Sequence, residues 1–110
     1  MHRALKRTLG DHVARNVSPF TLKLETWLRL DAFPAVRAGV FDNPSQYGLF
    51  LMANGAVLCC TSSSGNCLES PPALTLDVWT HIACTYDRAR RVIYVDGADV
   101  ASDAATNALA

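Results

Sequence analysis

Apolar and polar positions alternate with a period of two along residues 20–30. Phe20, Leu22, Leu24, Thr26 and Leu28 share one face, and Thr21, Lys23, Glu25, Trp27 and Arg29 share the other. The pattern predicts a strand whose first set enters a core. Trp27 stands on the polar face, where so large an apolar body meets a further layer or lines a surface groove. Pro34 marks a turn, and residues 36–41 predict a short strand ending at Asp42-Asn43-Pro44-Ser45. Residues 47–52 and 56–61 predict two strands joined by Ala53-Asn54-Gly55, a strong hairpin signal. A polar loop follows over 61–66, and Pro71-Pro72 excludes a central strand there.

Residues 79–87 alternate again, with Thr80, Ile82, Cys84 and Tyr86 on one face and Trp79, His81, Ala83 and Thr85 on the other. A charged turn over 88–90 leads to a strand over 91–96, closed by Asp96-Gly97, and Val100 begins one more short strand. Six or so short strands, with turns every 8–12 residues and no long helical period, predict an all-β, antiparallel β-sandwich. Residues 1–17 carry no clean period and are expected to form a basic arm, with Leu5 and Leu9 offering a short amphipathic helix instead. The alanine-rich tail, residues 102–110, is expected to be frayed, which leaves 18–101 as the domain.

The 110 residues are half apolar and 18% charged, enough to bury a core. Ten basic and ten acidic side chains cancel, so no global field favours nucleic acid as a partner. Locally, residues 1–29 hold six basic side chains against two acidic ones. No apolar run reaches the roughly 18 residues that a membrane-spanning helix needs, so no membrane partner is expected. Asp11 and His12 interrupt the place where a secretory leader would be apolar, whereas four cysteines favour an oxidising, extracellular or periplasmic setting.

Trp79-Thr80-His81-Ile82-Ala83-Cys84-Thr85-Tyr86-Asp87, followed by Val92-Ile93-Tyr94-Val95-Asp96-Gly97, resembles the signature hairpin of LamG-like jelly-roll domains in the concanavalin A-like lectin/glucanase superfamily. The stretch from Phe20 to Arg29 is similar to the early strand of that family, and Gly48 through Gly55 to its meander. The resemblance covers about residues 18–101 and implies a jelly roll that binds sugars, polyanions or proteins. Such domains run longer at both ends, so this one is expected to be a minimal or truncated version. Either its two tails close the sheets or a homo-oligomer completes the sandwich between subunits, the arrangement favoured here.

Four cysteines allow three fully paired arrangements, and the neighbours Cys59 and Cys60 point to opposite faces of a strand. The resemblance makes Cys59–Cys84 a candidate bridge, since similar sequences carry a cysteine at the position of Cys59; Cys60–Cys67 would then close the 61–66 loop. Free buried thiols are the alternative, and the spacing suits a zinc knuckle poorly.

Catalysis finds little support. His81 has no serine elbow or triad spacing, so it reads as hydrogen-bonding a neighbour. A glycosidase needs two facing carboxylates, yet Glu25 stands alone in its strand, Glu69 precedes Pro71-Pro72, and Asp42, Asp87 and Asp96 suit turns. The E-x-D-x-x-E run of related glucanases is absent. No cofactor is expected; similar domains hold calcium, for which Asp31, Asp42 and Asn43 are weak candidates. Trp27, Arg29, Arg37, Tyr47 and Trp79 are the candidate ligand-binding residues. Lys23, Arg29 and Arg37 beside Trp27 would suit an acidic sugar or protein surface, although a solvated strand face is the plainer reading. The expected function is a non-catalytic module that recognises carbohydrate or protein; the alternative is a structural protein whose role is assembly.

Overall fold

Leu22, Leu24, Thr26 and Leu28 are withdrawn from solvent while Lys23 and Trp27 face it, so the alternation is realised as a half-buried strand. The computed structural model describes residues 13–17, 22–43, 47–61 and 66–105. Its strands are β1 (Val13–Val17), β2 (Leu22–Leu28), β3 (Ala38–Asn43), β4 (Tyr47–Leu51), β5 (Val57–Cys60), β6 (Cys67–Glu69), β7 (Thr80–Tyr86), β8 (Arg90–Val95) and β9 (Ala98–Ala104). They form a five-stranded sheet, ordered β1-β2-β7-β8-β9, and a four-stranded sheet, ordered β3-β4-β5-β6. Every pairing is antiparallel.

The two sheets enclose one core. Leu24, Ile82, Cys84 and Ile93 from the first meet Leu49, Leu51, Val57 and Cys59 from the second, all fully buried. Each such aliphatic side chain contributes about 1.5–3 kcal/mol by leaving water. Among the described residues no buried side-chain nitrogen or oxygen lacks a hydrogen-bond partner. The two sheets therefore form an antiparallel β-sandwich, as the strand pattern predicts, of the jelly-roll kind that the resemblance implies.

Turn chemistry sets the registers. Asn54 Oδ1 accepts from Ala56 N–H, and Gly55 takes a positive φ of 86° that suits its lack of a Cβ. Asp96 and Gly97 are both left-handed, the combination that a two-residue hairpin between Val95 and Ala98 requires. Asp87 Oδ1 accepts from Ala89 and Arg90 N–H, and these bonds hold its carboxyl below the usual carboxylate range.

β3, β6, β9 and β1 depart most from the sequence expectation. β3 starts at Ala38 and runs to Asn43, and Val36 lies outside it, well exposed. β6 was not anticipated; it is only three residues long and is specified by its partner β5. β9 continues to Ala104, into the segment expected to fray, because β8 offers it a full ladder. β1 occupies Val13–Val17 of the expected arm and pairs with Leu22–Thr26 of β2. The proposed helix at Leu5 and Leu9 and residues 106–110 of the tail lie outside the described residues. One chain thus supplies strands to both layers. The edge strands β3 and β9 each carry a bulge, a device that discourages edge-to-edge pairing.

Two features bind the layers beyond apolar burial. Cys59 on β5 is bonded to Cys84 on β7, across the core, and Cys60 to Cys67 on the neighbouring β6. Arg91 on β8 is 3% exposed, and its guanidinium forks onto the Asp103 carboxylate of β9. Its Nη1 also donates to Thr61 Oγ1 at 3.1 Å and to the Asn66 carbonyl at 2.6 Å, which fastens the ends of the β5–β6 connection to the opposite sheet.

Candidate functional site

The outer face of the five-stranded sheet is built by the polar set of β2 and the matching set of β7. Their antiparallel register places Trp27 opposite His81 and Glu25 opposite Ala83. The indole and imidazole rings meet edge to face, with centroids 5.3 Å apart. His81 Nε2 lies 2.9 Å from Glu25 Oε1, and Lys23 Nζ lies 3.1 Å from Glu25 Oε2. Lys23, Glu25, His81 and Trp27 thus form one continuous polar-aromatic line across two strands.

The β8–β9 turn closes this line at one end. His81 N–H donates to Asp96 Oδ1 at 2.9 Å, and Asp96 N–H donates to the His81 carbonyl at 2.7 Å. This reciprocal pair holds the turn against β7. Trp27, His81, Asp96 and Gly97 then line an open depression of about 380 Å³. A Cβ at Gly97 would meet nothing within 4 Å, so the turn leaves the depression uncrowded. An indole beside a carboxylate and an imidazole offers an apolar platform with hydrogen-bonding groups at its margin.

Glu25 is held below its ordinary pKa of 4.5 chiefly by its hydrogen bond to Lys23, with a further contribution from His81, while partial burial opposes both. Its carboxylate is therefore favoured in the folded protein, and the stability it contributes is present above the unfolded pKa and lost as pH falls through the lower, folded one. Glu25→Gln should weaken the domain by less than about 1 kcal/mol near neutral pH, since Lys23 is half exposed. The gap from wild type should close in acid. Urea denaturation at a series of pH values checks this; a gap that stays constant into acid would show that Glu25 charge does not matter.

The family model of the concanavalin A-like lectin/glucanases superfamily matches residues 7–110. The chain belongs to this superfamily. No curated protein and no solved structure matches it. The match takes in β1 and β9 as well as the signature hairpin, so both edge strands of the larger sheet are part of the superfamily domain rather than appendages.

Within this concanavalin A-like domain the candidate residues separate. Trp27 and Trp79 are the exposed tryptophans, 39% and 45% accessible. Trp79 precedes His81 by two residues, and Arg29 follows Trp27 by two; the Arg29 guanidinium lies 3.6 Å from Asp77. Tyr47 lies on the inner strand β4 and is packed into the core. Arg37 is not grouped with Trp27 either. Its guanidinium covers the Phe50 ring, 4.3 Å from the centroid, on the outer face of the other sheet. Phe50 in turn lies over Gly48, where any Cβ would overlap the ring. The imagined basic patch of Lys23, Arg29 and Arg37 is therefore dispersed, each cation having its own partner.

Asp31 and Asp42 are exposed, on the segment after β2 and on β3, and Asn43 ends β3. Among the described residues no three His, Cys, Asp or Glu side chains gather as metal ligands would. The sequence singled out Trp27 but not its setting. Asp96 read as a turn residue and His81 as a satisfied histidine; their meeting beside Trp27 depends on the β2–β7–β8 registers, which no local spacing reveals.

Proposed function

We propose that this domain is a non-catalytic binding module, and that it recognises carbohydrate through the outer face of the five-stranded sheet around Trp27. Membership of the superfamily supports a binding or structural role in general. The observation that carries the finer reading is the exposed Trp27 ring, braced edge-on by His81 within an open depression that also contains Asp96. The apolar face of a pyranose ring stacks on an indole, while its hydroxyls donate to a carboxylate at the margin. Glu25 steadies the surface from within the same face, since its two oxygens already engage Lys23 and His81. A setting outside the reducing cytoplasm accords with the two disulfides.

A glycan array probed with wild type and Trp27→Ala tests this reading. At least one glycan class should bind wild type, and the substitution should weaken it by about tenfold or more, the usual effect of truncating an aromatic anchor. Circular dichroism should be unchanged, because the indole lies outside the core. Absence of binding to every glycan would sink the carbohydrate reading. Sedimentation of the same sample addresses the assembly role; concentration-dependent association abolished by substitutions at the sheet edges would favour that role instead.

A further inference from the structure

Two disulfides leave β5 in opposite directions. Cys59 points between the sheets to Cys84, and neither residue has any solvent exposure. Cys60 points outward to Cys67, its direct partner across the β5–β6 ladder. Cys67 is partly exposed and belongs to a three-residue strand that, among the described residues, ends its sheet. Thiol–disulfide exchange requires a thiolate to reach one of the two sulfurs, so access separates the bonds sharply.

We propose that Cys60–Cys67 is a thiol-exchange site of the folded domain, opened by small dithiols while Cys59–Cys84 stays closed. In the first step a thiolate of the dithiol attacks Cys67 Sγ, the Cys60–Cys67 bond breaks, and Cys60 leaves as a thiolate that takes up a proton. The second thiolate of the reagent then displaces Cys67 from the mixed disulfide. Two electrons pass from the dithiol to the protein pair, and the reagent departs as its own cyclic disulfide.

The structure has reasons to stay native through this step. Thr61 N–H still donates to the Asn66 carbonyl at 3.0 Å, and Arg91 still fastens both Thr61 and Asn66 to the other sheet. The released Cys60 thiol lies on the opposite side of β5 from Cys59, with the sheet between them, so it has no path to the core bond. Exchange is thereby confined to one pair.

The test exposes the oxidised, folded domain to dithiothreitol, alkylates at intervals with iodoacetamide, and assigns each label by fragment-ion mass spectrometry, which distinguishes Cys60 from adjacent Cys59. Cys60 and Cys67 should be labelled while the circular dichroism spectrum is unchanged. Cys59 and Cys84 should react at least about a thousandfold more slowly, because their exposure requires the rare unfolded form. Parallel labelling of all four cysteines, or protection of all four until denaturant is added, would overturn the proposal. A Cys60→Ser/Cys67→Ser variant gives a second reading. It should fold and resist labelling in the same dithiol; rapid labelling of Cys59 and Cys84 in the folded variant would also overturn it.

Discussion

Asp103→Ala is expected to destabilise the domain by about 3–5 kcal/mol, the range found when one partner of a buried ion pair is removed. Arg91 keeps only 4% of its side chain in solvent, and Asp103 supplies the carboxylate that neutralises it. Alanine would leave the guanidinium with Thr61 Oγ1 and the Asn66 carbonyl, two neutral acceptors, and an uncompensated charge. Asp103 itself is 34% exposed, so water entering at its position should place the loss toward the lower end. Urea denaturation of the single variant, of Arg91→Met and of the double variant completes a cycle. The double variant should be less damaged than the two losses added together, because removing both charges leaves no charge buried and unpaired. Strict additivity would mean that the two side chains do not act as a unit.

This pair also explains why the sequence shows only a short strand from Val100 where β9 runs over Ala98–Ala104. Residues 98–104 contain no large apolar side chain except Val100, and their composition favours neither strand nor core. What orders them is tertiary: a ladder with β8 and a carboxylate placed to meet Arg91. The same holds for β6, whose three residues carry no pattern of their own but oppose β5 through Cys60 and Cys67. By contrast β2 and β7 are legible because one face of each is fully buried and the other carries polar side chains nearer solvent, so their alternation survives in the sequence. The faces assigned from that alternation are those the structure buries: Leu22, Leu24, Thr26 and Leu28 on one strand, Thr80, Ile82, Cys84 and Tyr86 on the other.

The site follows the same division. Trp27 was conspicuous as an apolar residue on a polar face, a property of one strand. Its neighbours come from β7 and the β8–β9 turn, and only the order β2-β7-β8 brings them beside it. Tyr47 and Arg37 are side-chain types suited to ligands, but type alone does not state which layer or face a residue occupies. Tyr47 fills the core and Arg37 covers Phe50. A surface aromatic is thus better judged by the phase of its strand than by its chemistry.

Removing the core disulfide with Cys59→Ala/Cys84→Ala should lower stability by about 2–5 kcal/mol, and by more than removing the outer one. The core bond joins residues 25 apart, for which chain-entropy arguments give about 3.5 kcal/mol. The outer bond spans 7 residues and restricts the unfolded chain less, by about 2.4 kcal/mol on the same reasoning. Packing widens the difference. Both core sulfurs are enclosed between the sheets, so alanine there also forfeits contacts, whereas Cys60 and Cys67 lie on an outer face with Phe50 and Leu58. The bond further ties an inner strand of the four-stranded sheet to the middle strand of the five-stranded one. Urea midpoints of the two double-alanine variants, measured without reductant, decide the matter. Equal losses, or a greater loss from Cys60→Ala/Cys67→Ala, would show that the bond across the core is not the principal staple of this sandwich.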